Sequence, residues 1–176
     1  SQDMGIAFFG ENNPAYLARA VSSVPESEKE RLESIFQEII SAVGMAGLEA
    51  KLPVELGDIN QNEINPGNHA LLLNSKIVLP LTYATSDGRG WEMGFSYRKK
   101  LLVPIVMPGQ KINTPSLRLP FQIPVVYQDK ESLAGLLKNL SGYEIGFGKL
   151  DGEYTVIGSR EGHSVDLRKK SAKHLE

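Results

Sequence analysis

The chain has 176 residues, no cysteine and a formal charge of −2 from 19 basic and 21 acidic side chains. That length supports one domain burying about two-thirds of the surface its unfolded form exposes, and the missing cysteines exclude disulfides, thiolate zinc sites and cysteine nucleophiles. Near-balanced, dispersed charge argues against a broad nucleic-acid face, and no run approaches the roughly 18 apolar residues of a bilayer span.

"GIAFFG" (5–10) reads as a buried first strand ending in a glycine turn, after which "ENNPAY" begins a helical region. In "SEKERLESIFQEIISAV" (27–43), Leu32, Ile35, Phe36, Ile39, Ile40 and Val43 recur every three or four residues, which predicts an amphipathic helix. Ser27 and Glu30 have the spacing of a capping box, and Gly44 and Gly47 stop the helix. "LEAKLPVEL" (48–56) is a weaker strand, and "GDINQNEINPGN" (57–68) reads as a polar loop or an irregular helix start.

"HALLLNSKIVLPLTY" (69–83) ends a helix near Asn74 and continues as a strand from Lys76 to Leu81. "GWEMGFSYRKK" (90–100) is a helix of about three turns, "LLVPIVM" (101–107) has the unbroken apolar character of a parallel strand covered on both faces, and "QIPVVYQ" (122–128) repeats it. Asp129 then starts the helix "DKESLAGLLKNL" (129–140). The remainder, 141–176, reads as a hairpin around Asp151-Gly152 and a basic, mobile tail. Ser1 to Asp3 and Leu175-Glu176 resemble appended residues, and the N-terminus lacks a signal-peptide layout, so a soluble, cytoplasmic protein is expected. The alternation of strands and helices predicts an α/β fold: a mostly parallel, flavodoxin- or Rossmann-like open sheet covered by helices on both faces over 4–140, followed by the 141–176 appendage.

In such a sheet, ligands bind at the carboxyl ends of the strands. "TSDGRGWEMGF" (85–95) lies at one of them, where Gly88 and Gly90 let backbone approach a ligand and Glu92 sits in the first helical turn, aimed into the crevice. The same residues also fit ordinary helix-start chemistry, since the macrodipole favours an acid there.

The order "S-D-G-R-G-W-E-M-G-F", Ser86 to Phe95, resembles the signature of the nucleoside 2-deoxyribosyltransferase superfamily, which includes 2'-deoxynucleoside 5'-monophosphate N-glycosidases. The likeness covers residues 68–107 well and 114–137 more loosely. It implies that Glu92 attacks the anomeric carbon of a nucleoside or nucleotide, displaces the base and leaves a glycosyl ester, which water or a second base then resolves. It also implies a second acid to protonate the base, with Asp87 nearest in sequence. Around them, Ser86, Gly88, Gly90, Asn68, Tyr83, Gly10 and Ser116 are the substrate-binding candidates. Ser86 and Ser116 match phosphate-contacting serines of the monophosphate-cleaving members, although a serine before a turn, like Ser86, is more often a backbone cap and Ser116 also fits a plain polar loop. Trp91 reads as packing rather than a base platform, and Arg89 fits either a phosphate contact or solvent.

Three departures stand beside the likeness. "IAFFG" offers no tyrosine where the superfamily's first strand supplies one to orient the nucleophile, so Tyr83 or Tyr16 has to substitute. Asn68 stands where an aspartate is usual, and an amide is no general acid. "GENNPA" puts Glu11 in the loop that the monophosphate-cleaving branch uses for phosphate. Two other readings therefore stay open: a TIR-like NAD-cleaving or signalling domain, the cleavage again using Glu92, or a non-catalytic nucleotide-binding or protein-interaction module. No cofactor is implied. His69, His163 and His174 lack paired metal-ligand spacing. The resemblance further implies a homo-oligomer, with no nucleic-acid or membrane partner.

Overall fold

The computed structural model describes residues 6–8, 13–19, 24–53, 61–83, 87–108 and 115–175. The first described element, β1 (Ile6–Phe8), is not the first strand of a parallel sheet, as the apolar run predicts. It pairs antiparallel with a C-terminal strand. The parallel sheet starts one segment later, at β2 (Pro14–Ala18), within the stretch expected to turn helical. The amphipathic helix follows as α1 (Glu26–Met45), which buries Leu32, Phe36, Ile39, Ala42 and Val43. Each large apolar side chain of that stripe contributes about 1.5–3 kcal/mol when removed from water. Its N-cap is Pro25 with no side-chain cap, so Ser27 and Glu30 form no capping box. The helix passes through Gly44 and ends before Gly47, whose φ of 80° suits glycine.

Beyond β3 (Glu49–Lys51), the polar stretch resolves into α2 (Gln61–Asn74), which includes Pro66. Asn74 and Ser75 bond back to the carbonyls of Ala70 and Leu71 at its end. Buried Lys100 completes that cap by donating to the carbonyls of Leu73 and Ser75. Burial holds its ammonium below the ordinary lysine range. β4 (Ile77–Pro80) leads to α3 (Asp87–Ser96), and the next apolar run is divided at Pro104 into β5 (Leu101–Leu102) and β6 (Ile105–Val106). A 3-10 turn (Pro115–Arg118) precedes β7 (Val125–Val126), and Asp129 caps α4 (Lys130–Leu140) by accepting from the Ser132 amide at 2.7 Å, as its sequence predicts.

All pairings among β2 to β7 are parallel. The order β3-β2-β4-β5 continues into β6-β7 through bridges from Leu81 to Ile105 and Leu102 to Gln122. One face packs under α1 and α4, the other under α2 and α3. The expected α/β class with a helix-flanked parallel sheet holds. Because β3 and β4 lie on opposite sides of β2, the chain reverses direction across the sheet between β2 and β4, which opens a crevice at their carboxyl ends.

The Asp151-Gly152 hairpin joins β8 (Glu144–Leu150) to β9 (Glu153–Arg160), as expected. The tail is structured instead of loose. β10 (His163–Asp166) extends an antiparallel sheet in the order β1-β8-β9-β10, and α5 (Leu167–Leu175) packs against β9, β7 and α4. Fully buried Leu167 seats over Gly158, where an added Cβ would lie 2.7 Å from its Cδ2. The Leu167 side chain would have to shift within packed core to admit it. Gly158→Ala should therefore cost about 1–3 kcal/mol through overpacking, read as a lower urea midpoint with an unchanged slope. A variant as stable as the parent would show that α5 does not hold this seat.

Candidate active site

β2 alternates its side chains between the two faces of the sheet. Ala15 and Leu17 enter the core under α1, while Tyr16 and Ala18 face α2 and α3 together with Leu72, Val78 and Leu102. Tyr16 has no exposed surface, yet its phenol has a partner: Oη donates to Glu92 Oε1 at 2.7 Å. Glu92 is half-buried, in the second turn of α3, and Ser96 Oγ donates to its carbonyl one turn later. A tyrosine from the first parallel strand thus fixes a carboxylate on the helix after β4, across the sheet's switch point.

This corrects the register read from the apolar run. Ala7 and Phe8 lie in the antiparallel sheet, so their inability to donate has no bearing on Glu92, and of the two substitutes named from sequence Tyr16 makes the bond. Glu11 no longer marks the loop after the first parallel strand. Arg19 instead follows that strand, and Ala20, Val21, Ser22 and Ser23, which come next in the sequence, lie outside the described residues. Arg19 was missed by sequence reasoning because "AYLA" is a short run behind Asn12-Asn13-Pro14, which reads as a turn. Its guanidinium lies 3.9 Å over the Phe36 ring and donates to Glu33 at 2.8 Å. Arg19, Lys29, Glu30, Glu33 and Tyr83 line a cavity of about 370 Å³ at the carboxyl ends of β2 and β4.

The other candidates separate. Gly88 and Gly90 stand inside α3 rather than in a turn before it, and Asp87 is its first residue. Asn68 lies on α2, one turn before Leu72 of the Tyr16 cluster. Ser116 joins Gly90, Met93, Gly94, Tyr97 and Gln122 around a second cavity of about 370 Å³. On α3 those residues form one stripe, turned about half a revolution from Glu92 at 3.6 residues per turn. That cavity therefore lies behind the helix and away from the carboxylate. Gly10 and Ser86 fall outside the described residues, as do the side chains of Asp87, Arg89 and Trp91. Among the described residues no group of three or more His, Asp or Glu side chains is placed to hold a metal ion.

No family model matches this sequence, and no curated protein does either. Among solved structures, the chain is similar to the CMP N-glycosidase BcmB of Clostridium botulinum, with a TM-score of 0.53 and 12% identity, over 72% of this chain and 99% of that one. At that identity the likeness is one of fold.

Burial first, then the charge of Glu92 and the bond to it, hold the Tyr16 phenol far above the usual tyrosine range. Tyr16 therefore stays a neutral donor at any physiological pH. A raised folded-state value means stability that is complete below the unfolded value near 10 and declines as pH rises beyond it. Tyr127 and Tyr97 are raised too, chiefly by burial, and add to the same alkaline decline. Tyr16→Phe should lower stability at neutral pH and flatten that decline by up to about 1.4 kcal/mol per pH unit. Urea titrations of both proteins between pH 9 and 11 measure the slopes, and parallel slopes would mean Tyr16 ionises freely in the folded state.

Proposed function

We propose that the protein cleaves the N-glycosidic bond of a nucleoside or nucleotide, with Glu92 as the nucleophile. The observation that carries this reading is the 2.7 Å bond from Tyr16 to Glu92 at the sheet's switch point, where a carboxylate is both held in one orientation and left half-exposed. An oxocarbenium-like transition state needs an anion beside the anomeric carbon, and an oriented carboxylate first stabilises that charge and then captures it as an ester. Support comes also from the fold shared with a CMP N-glycosidase and from the "S-D-G-R-G-W-E-M-G-F" resemblance.

Arg19 favours a phosphorylated substrate. It stands at the end of β2 on the wall of the crevice cavity, and Ser22 and Ser23 follow it in the sequence. A phosphate would compete with Glu33 for its guanidinium, whose fork suits bidentate oxygen contacts. Hydrolysis and transfer differ only in whether water or a second base resolves the ester.

Incubation with ribo- and deoxyribonucleosides, their monophosphates and NAD, followed by chromatography of free bases, tests the reading. One base should be released by the parent and not by Glu92→Gln, with the intact mass of the parent raised by one glycosyl unit during turnover. Release that survives in Glu92→Gln would end the nucleophile assignment. Nicotinamide as the released base would move the protein to the NAD-cleaving reading, and no release from any member to a binding module. Where a monophosphate is cleaved, Arg19→Gln should raise its KM about tenfold or more while leaving the nucleoside's KM within about twofold, as expected for loss of a charge-assisted contact. Equal changes for both substrates would remove Arg19 from phosphate recognition.

A further inference from the structure

We infer that the cavity behind α3 is a second ligand site, which takes an uncharged, planar heterocycle of the nucleobase class and recognises it through Gln122. The site is separate from the Glu92 crevice, and it stands whether or not the glycosidic reading does.

The sheet sets the position of Gln122. It bridges in parallel to Leu102, and the Ile123 amide after it donates to the Leu102 carbonyl at 2.8 Å. Only 2% of Gln122 is exposed, although it lines the cavity. Its Nε2 donates to the Ser116 carbonyl, which fixes the orientation of the amide and turns Oε1 the other way. No described residue donates to Oε1. Among the described residues the fully sealed side-chain atoms without a partner are His69 Nδ1 and Tyr127 Oη, so Gln122 Oε1 keeps its opening at the cavity. A nearly buried amide oxygen of this kind requires a donor from within the cavity.

Two hydroxyls, of Ser116 and Tyr97, belong to the same lining, and neither bonds to a described residue. The Tyr97 ring is held edge-on against Phe121 at 5.9 Å, and burial keeps its phenol above the usual tyrosine range, hence a neutral donor. No charged side chain among the described residues lines the cavity. A phosphate would therefore meet no cation there, and an unpaired buried charge is costly. That is the opposite of the crevice, where Arg19 stands on the wall.

The floor is flat. Gly90 and Gly94 lie one turn apart on α3, and a Cβ added to either would meet nothing within 4 Å. Neither glycine makes room for a neighbour, and together they leave bare helix backbone facing the cavity, flanked by the Met93 thioether and the Tyr97 ring. Sulfur and aromatic faces suit a flat, polarisable ring. The volume of about 370 Å³ falls at the lower end of small-molecule sites, about 300–1,000 Å³. A ring with an N–H for Gln122 Oε1 and an acceptor for either hydroxyl meets all of these conditions, and nucleobases combine them in one uncharged molecule.

The test reads binding without turnover. Protein labelled with carbon-13 at the methionine methyls is titrated with uracil, with adenine, with the analogue of each in which every N–H is replaced by N-methyl, and with uridine monophosphate. At least one free base should shift the Met93 signal, assigned with Met93→Leu, to saturation, while the exposed Met45 on α1 stays unmoved. The N-methyl analogue of that base should bind about tenfold or more weakly, as for a lost hydrogen bond to a buried acceptor, and the monophosphate should not shift Met93. Gly94→Leu fills open space at a helical position, so circular dichroism should match the parent while the shift is lost. Gln122→Met should weaken binding about tenfold. No shift from either base overturns the inference, as does a shift that survives in Gly94→Leu, since the base then binds elsewhere. Equal binding of the N-methyl analogue or of the monophosphate also overturns it. A dimer by sedimentation, with Met93 indifferent to both bases, would make this wall a subunit contact and overturn the ligand site.

Discussion

The bond between Tyr16 and Glu92 is the constraint on which the site depends. It ties the central region of the parallel sheet to the helix after β4, and it does so with a group that cannot ionise in its surroundings. Several otherwise separate features serve that geometry. The face of β2 that carries Tyr16 is closed by Leu72 from α2 and by Val78 and Leu102 from the neighbouring strands, so the phenol has no alternative position. Ser96 returns its hydroxyl to the Glu92 carbonyl, and Lys100 ties the segment after α3 to the end of α2. Two helices and three strands thus meet around the Tyr16 side chain.

Much of this fold was legible in the sequence because the signals were long. The stripe from Leu32 to Val43 has twelve residues in which to show a period, and the Asp129 cap is a local bond among neighbours in the chain. What misled was competition between two short apolar runs. "IAFF" is the stronger strand signal by hydrophobicity, whereas "AYLA" is less hydrophobic and follows Pro14; propensity favours the first for the core of the sheet. The structure resolves the choice by tertiary pairing. Antiparallel β8 takes β1, and β4 takes β2 in parallel register, with Tyr16 opposite Val78. Nothing within either run encodes that preference.

The site was legible only in part for the same reason. Glu92 carries a motif that survives being read one residue at a time, whereas its partner lies 76 residues away and is identified by a strand register. Correcting the register changed the chemistry. A missing tyrosine became a present one, and Arg19 took the place of Glu11 after the first parallel strand. Asn68 is unchanged by the correction and remains an amide. The likeness to the solved glycosidase spans nearly all of that protein but 72% of this one, so the chain carries more than the shared fold. The β8–β10 sheet and α5 are built onto β1 and β7, and the interlock of Leu167 with Gly158 shows that they pack as core.

In the proposed reaction, a carboxylate that attacks a sugar must later leave it, and a neutral donor such as Tyr16 serves both requirements. A hydrogen bond to Oε1 lowers the energy of the free anion, which slows attack somewhat and speeds departure from the ester by the same stabilisation. A cationic partner would weight the balance too far toward the anion, holding the carboxylate in an ion pair and competing with the oxocarbenium charge. The Tyr16 phenol, pushed up in pKa until it cannot carry charge, contributes orientation and a modest electrostatic bias alone. Burying a tyrosine completely on the sheet and giving its hydroxyl one acceptor is how this fold produces such a donor. The energetic cost of desolvating the phenol is offset by the apolar packing of Leu72, Val78 and Leu102 around its ring.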